Sequence, residues 1–193
     1  MSSEKIIGII KTGNSGSVEN ALETLGFNTL VSGEPEKLSR CGVLVLPGVG
    51  AFGESMKSLS SLKQFILKWK KPFLGICLGM QVLFETSEES PGVAGLGILK
   101  GSVNQFQKIR VPQIGWNKVT NVKGPLFQKP GYAYFVNSYY CVPDELTGTS
   151  TTDYGIAFTS SVRKRNYYGV QFHPEKSGEY GFEILENFAR LSE

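Results

Sequence analysis

Apolar residues are distributed along the chain in two different ways. In the first half, short runs of branched aliphatic residues alternate with stretches whose apolar positions recur at helical spacing. The runs at residues 5–10, 28–31, 43–46 and 73–76 have the length and composition of strands buried on both faces. Ser17 stands where it can cap a helix to about Leu25, with Val18, Ala21, Leu22 and Leu25 on one stripe. Leu59, Leu62, Phe65, Ile66 and Trp69 predict a second helix over 59–69, closed by Pro72, and Gln81 to Glu85 are expected to begin a third. From about Ile98 the pattern changes to strand-like runs between turns, at 102–106, 118–122, 133–142, 156–162 and 167–172. Phe182, Ile184, Leu185, Phe188 and Leu191 then mark a C-terminal amphipathic helix.

Strands alternating with helices predict an α/β fold, with a mainly parallel sheet covered on both faces and an antiparallel extension from the second half. No long linker, repeat or low-complexity tract divides the 193 residues, so one domain over 1–193 is expected.

Composition narrows the function. With 20 Lys+Arg against 17 Asp+Glu, the formal charge of +3 is too small and too dispersed to argue for nucleic acid or an anionic membrane. No apolar run reaches the roughly 18 residues of a membrane-spanning helix. Residues 1–5 are polar and lack the pattern of an export signal, so a cytoplasmic location is expected. The three cysteines, Cys41, Cys77 and Cys141, are widely spaced and odd in number, which argues against a zinc site or a disulfide framework. His173 is the single histidine, so any Cys–His chemistry must use it.

Two segments carry chemistry. Gly75-Ile76-Cys77-Leu78-Gly79 is a G-x-C-x-G sequence between a strand and a helix, the thiol counterpart of the G-x-S-x-G nucleophile elbow. The glycines leave room for a sharp turn, and free N–H groups at the helix start favour negative charge on sulfur. The segment alone is equally consistent with a buried structural thiol. In Gln171-Phe172-His173-Pro174-Glu175, the imidazole ends a strand-like run and Glu175 follows two residues later. In extended backbone, favoured before proline, those two side chains face the same way, as a base and the carboxylate orienting it. Taken alone, the histidine reads equally as one satisfied in a loop. The glycine-rich Pro47-Gly48-Val49-Gly50 turn can supply an oxyanion N–H beside that of Leu78, or simply terminate a strand.

In this order and frame the segments resemble the class I (triad) glutamine amidotransferases, and among them the glutaminase subunits of imidazole glycerol phosphate synthase. The matching text is PGVGAF (47–52) with Met56, GICLGMQVLFE (75–85), GLGILKG (95–101), VPQIGWN (111–117), YFVNSYY (134–140) and GVQFHPEKS (169–177). The resemblance implies a flavodoxin-like fold and hydrolysis of glutamine to glutamate and ammonia, without metal or organic cofactor. It implies Cys77 as nucleophile, His173 as acid/base and Glu175 as its orienting group. Gly50 and Leu78 match oxyanion positions, and Gln81, Glu85, Ser138 and Tyr139 match substrate-binding positions. Asn14, Tyr134 and Lys176 match the partner-facing side. The implied partner is a (β/α)₈-barrel cyclase, forming a heterodimer in which channelled ammonia yields imidazole glycerol phosphate and AICAR for histidine biosynthesis.

The chain departs from the family pattern at Gln113 and Asn137, both usually histidine, and in the turn Lys11-Thr12-Gly13-Asn14. These departures leave a related subunit feeding ammonia to surface-sugar (nucleotide-sugar) amidation as the alternative. A non-catalytic scaffold and a cysteine hydrolase of the same architecture are the readings from other classes.

Overall fold

The computed structural model describes residues 5–191, so most of the polar start lies outside the described residues. In chain order the elements are β1 (Ile7–Ile10), α1 (Ser15–Thr24), β2 (Thr29–Ser32), α2 (Pro35–Leu38), β3 (Val43–Gly48), α3 (Phe52–Ser58), α4 (Lys63–Lys68), β4 (Phe73–Cys77) and α5 (Leu78–Gln81). There follow β5 (Thr86–Ser87), β6 (Gly101–Gln105), β7 (Gln113–Val119), β8 (Gly131–Asn137), β9 (Tyr139–Pro143), β10 (Gly148–Asp153), β11 (Ala157–Lys164) and β12 (Tyr167–Val170). A 3-10 turn (Pro174–Lys176) leads into α6 (Gly178–Ala189).

The strands build a sheet in the order β2-β1-β3-β4-β12-β11-β9-β6-β5, with β10 paired to β11, and β7 and β8 form a separate antiparallel ribbon. The pairs from β2 to β12 are parallel, while β12–β11, β11–β9 and β9–β6 are antiparallel. This is the mixed sheet that the change of pattern near Ile98 predicts.

Strand alternation divides each apolar run between two cores. Val43 and Val45 join Ile7, Ile9, Leu74 and Ile76 beneath α1 and α6, whereas Leu44, Leu46 and Phe73 pack under α3 and α4. Each fully buried Leu, Ile or Val contributes about 1.5–3 kcal/mol relative to exposure, so covering both faces is what makes these continuous apolar runs stable as strands. Among the described residues, no helix is long and apolar enough to cross a membrane.

Three expectations are corrected. The helix expected over 59–69 is helical only as α4, Lys63–Lys68; residues 59–62 form a turn that joins it to α3, an element the sequence pattern did not predict. Serine hydroxyls compete for helical carbonyls, and Ser58 Oγ donates to the Glu54 carbonyl at 2.9 Å as α3 ends. Leu59, Leu62, Ile66 and Trp69 are still buried, so the stripe reports burial correctly while the backbone is broken. The helix expected to begin over 81–85 is instead the single turn α5, already ending at Gln81. Residues 95–99 take the carbonyls that would continue it: Leu96 N donates to Val82, Ile98 N to Leu83 and Gly95 N to Glu85. Finally, residues 171–175 are not extended throughout, because β12 ends at Val170 and Pro174 opens the 3-10 turn.

Candidate functional site

Neighbouring parallel strands β3, β4 and β12 bring their C-terminal ends together, Gly48 beside Cys77 and Val170 beside Ile76. Ligand sites in open α/β sheets lie at that edge. Here a cavity of about 300 Å³ is lined by Gly48–Gly50, Cys77, Leu78, Gln81, Glu89, Asn137–Tyr139, His173 and Lys176.

Cys77 turns the chain from β4 into α5 at φ 54° and ψ −111°, a conformation that costs a residue with a Cβ about 1–3 kcal/mol. The turn is tight because three glycines interlock around it. A Cβ on Gly75 would overlap the Gly79 carbonyl, one on Gly79 would overlap the Leu46 carbonyl, and one on Gly48 would overlap the Gly79 nitrogen. With α5 only one turn long, a full helix dipole does not stand behind the sulfur, although the first-turn N–H groups remain. The sulfur is 3.8 Å from the Val136 carbonyl and receives the Gln171 Nε2 hydrogen at 3.6 Å.

His173 Nδ1 meets Glu175 Oε1 at 2.8 Å, with both side chains essentially buried. The 3-10 turn, rather than an extended strand, delivers the carboxylate. Backbone bonds hold the ring in place: His173 N donates to the Tyr134 carbonyl at 2.9 Å, and Ser177 Oγ donates to the His173 carbonyl at 2.6 Å. Burial works against the charged ring. Hydrogen bonding to Cys77 and Glu175, with their negative charge, outweighs it and lifts the pKa from 6.5 to about 10. The second ring nitrogen is left for the sulfur.

A raised folded-state pKa gives stability that is fully present below 6.5 and lost as pH rises through about 10. In NMR titration, the single imidazole is therefore expected to stay protonated well above pH 6.5. Cys77→Ala should lower its midpoint and flatten the fall in urea resistance between pH 7 and 10. A wild-type midpoint near the ordinary value would contradict the assignment.

The structure brings most of the remaining expected residues to this cavity, with one correction. Gly50 (φ +101°, open to glycine alone without strain), Leu78, Ser138, Tyr139 and Lys176 line it. Gln81 also lines it, but both its N–H groups are engaged, with the Tyr139 carbonyl at 3.2 Å and Gln171 Oε1 at 3.0 Å, leaving its own oxygen as the free acceptor. Glu85, expected in the pocket, lies outside it. Its carboxylate pairs with Lys100 at 2.6 Å and accepts the Gly101 N–H at 3.2 Å, and the Lys100 hydrogen bond lowers its pKa. Because the chain leaves helix after Gln81, Glu89 occupies the pocket wall instead, braced by the Phe52 N–H at 2.7 Å. Asn14, expected on the partner-facing side, turns its amide inward to Glu175 Oε1 at 3.2 Å. Tyr134 is half-buried and its ring meets Trp116 edge-on at 6.0 Å. Ile114, Trp116 and Tyr132 on the same ribbon are 62%, 54% and 59% exposed, an apolar outer face that the sequence pattern did not reveal.

Gln113 and Asn137, the two departures, face one another across β7 and β8 and are both buried, and Asn137 lines the cavity. Glu89 and Gln171 were missed by sequence reasoning. Glu89 is one of three nearby glutamates with no periodicity to single it out, and Gln171 reads as a strand residue.

The family model "Glutamine amidotransferase class-I" matches residues 12–191. Curated relatives carry the name imidazole glycerol phosphate synthase subunit HisH. The one from Methanocaldococcus jannaschii is 46% identical, covering 96% of this chain and all of its own. That of Thermococcus kodakarensis is 48% identical over 91% and 95% of the two chains, and that of Bacillus subtilis 42% over 97% of both. Among solved structures, PurLQS from Thermotoga maritima aligns with a TM-score of 0.77 at 18% identity, covering 96% of this chain and 98% of that one. A glutamine amidotransferase from Thermotoga maritima aligns with a TM-score of 0.66 at 19% identity, over 95% and 82%. At such identities these structures bear on fold alone.

Proposed function

As the chain belongs to the class-I glutamine amidotransferases, we propose that residues 1–193 act as one domain, the glutaminase subunit of imidazole glycerol phosphate synthase in histidine biosynthesis. The observation that carries this reading is the convergence of Cys77 and His173 on one cavity at the C-terminal ends of β4 and β12, with Glu175 paired to the imidazole behind it.

The Cys77 sulfur, its proton already resting on His173, attacks the side-chain amide carbon of glutamine. N–H groups of the 48–50 loop and of Leu78 receive the oxyanion. His173 returns the proton to the departing nitrogen, releasing ammonia and leaving a γ-glutamyl thioester. A water, deprotonated by His173, attacks that thioester; glutamate leaves and the thiol is restored. Glu175 holds the imidazole in the required tautomer throughout, and Asn14 holds Glu175.

The substrate's α-ammonium is received by the free Gln81 oxygen and the Glu89 carboxylate, and its carboxylate by the backbone around Ser138 and Tyr139. Glu89→Gln is therefore expected to raise the KM for glutamine roughly 10-fold or more, the scale of one charge-assisted hydrogen bond. Glu85→Gln should leave it within about twofold, since that carboxylate serves Lys100. Equal effects in a steady-state assay would remove Glu89 from the pocket.

Ammonia is mostly protonated, and so non-nucleophilic, near neutral pH, which favours direct transfer to a bound synthase. The exposed Ile114, Trp116 and Tyr132 form a docking face of suitable chemistry for a (β/α)₈ cyclase, with Tyr134 beside Trp116 on the same face and Lys176 at the cavity wall. Full-length similarity to subunits of that synthase favours it over a sugar-amidating complex. The test is glutamate release by the chain mixed with the cyclase subunit of its own genome, with and without the phosphoribulosyl-formimino ribonucleotide acceptor. Strong stimulation by the acceptor is expected. Hydrolysis without stimulation would redirect the ammonia to another acceptor. No hydrolysis, with Cys77 also inert to diazo-oxo-norleucine, would overturn the glutaminase reading.

A further inference from the structure

Gln171 precedes His173 by two residues, is fully buried, and has its backbone N–H anchored on the Ser160 carbonyl at 2.9 Å. Its side chain bridges two functional groups. The oxygen accepts a hydrogen from Gln81 Nε2 at 3.0 Å, and the nitrogen donates to Cys77 Sγ at 3.6 Å. The other Gln81 N–H is fixed on the Tyr139 carbonyl at 3.2 Å. A continuous chain of hydrogen bonds thus runs from the wall of the cavity, through two amides, to the nucleophile.

We propose that Gln171 is a positioning residue that orients the Cys77 sulfur and stabilises its charged form from the protein side. A thiol sulfur is a weak acceptor. Once the proton has passed to His173, the sulfur is an anion and the same N–H bond becomes charge-assisted, so the interaction favours the reactive form. The donor also fixes the direction of a side chain mounted on strained backbone. Because hydrogen-bonded amides polarise one another, whatever the Gln81 oxygen binds tightens the bond at the sulfur. This last step rests on the glutaminase reading, in which that group is the substrate ammonium; the positioning of the sulfur does not.

Two variants separate the ends of the bridge. Gln171→Glu keeps an oxygen for Gln81 and replaces the donor at the sulfur with a second oxygen. Gln171→Met keeps similar bulk and removes both bonds. The first measurement is alkylation of Cys77 in the isolated chain by iodoacetamide at neutral pH, followed by peptide mass spectrometry, which requires no glutamine. Both variants are expected to slow it by about tenfold, Glu more than Met, with thermal unfolding otherwise close to wild type. In the complex with the synthase partner, Gln171→Glu should lower kcat by roughly 10–100-fold with KM within about twofold, a split that general loosening of the pocket would not produce. Alkylation within twofold of wild type in the folded variants would overturn the proposal, and if the Glu variant fails to fold the Met variant decides. Failure of the wild-type complex to hydrolyse glutamine would remove the glutaminase reading while leaving the alkylation result to judge Gln171.

Discussion

Replacing Cys77 with alanine is expected to reduce glutamine hydrolysis by the complex at least about 10⁴-fold, because no thioester can form without the sulfur. Residual turnover would come from whatever the pocket and oxyanion donors achieve with water alone. The variant should remain folded, since alanine retains the Cβ and the same backbone conformation; its thermal midpoint should fall below wild type near neutral pH, where the pairing with His173 is lost, and approach it above about pH 10. The informative companion is Cys77→Gly. At φ 54° and ψ −111° a residue without a Cβ is at ease, so this equally inactive variant should be more stable than alanine by roughly 1–3 kcal/mol. Matched thermal unfolding of the two variants checks the sign. An alanine variant that retained more than about one hundredth of wild-type kcat would remove Cys77 as nucleophile.

Gly79→Ala is expected to be strongly destabilising. A Cβ there would overlap the backbone carbonyl of Leu46 on the adjacent strand β3, a partner that cannot rotate away. Relief requires β3 and the elbow to separate, opening the packing of Leu46, Leu78 and Met80 in one core. Overpacking of this kind costs about 3 kcal/mol or more, equivalent to a fall of roughly 6–12 °C in Tm for a chain of this size. Gly92→Ala is the contrasting case, since a Cβ at that position meets nothing within 4 Å and the cost is confined to its φ of +84°. Thermal denaturation of the two variants compares them. Equal destabilisation would mean that the approach to the Leu46 carbonyl costs no more than a positive φ at Gly92, and would overturn the expectation.

The legible part of the architecture was the part governed by local pattern. Val43-Leu44-Val45-Leu46 has the composition of a strand covered on both faces, and such a run needs no knowledge of its neighbours to be recognised. The break between α3 and α4, and the strand β10, are of another kind. β10 has the sequence GTSTTD, with no apolar alternation, and its buried Ser150 is satisfied by hydroxyls of Ser160 and Ser161 at 2.9 and 2.7 Å. A buried polar strand can be read only together with the strand that satisfies it.

The site divides the same way. The chain itself determined which residue types are available for the proposed chemistry: one histidine two residues before a glutamate, and one cysteine set between glycines where a strand gives way to a turn. Those are demands of covalent geometry and short-range sterics, which act within a few residues and leave their mark in spacing. Only the tertiary structure decided that Glu85 is spent on Lys100 while Glu89 reaches the cavity, that Asn14 turns inward to Glu175, and that Gln171 bridges Gln81 to the sulfur. Residues 95–99 decide the first of these, by taking the carbonyls that would have continued a helix through Glu85. Hydrogen bonds between segments distant in sequence leave no periodicity in either segment, so each such residue looks ordinary until the chain has folded and its partner is beside it.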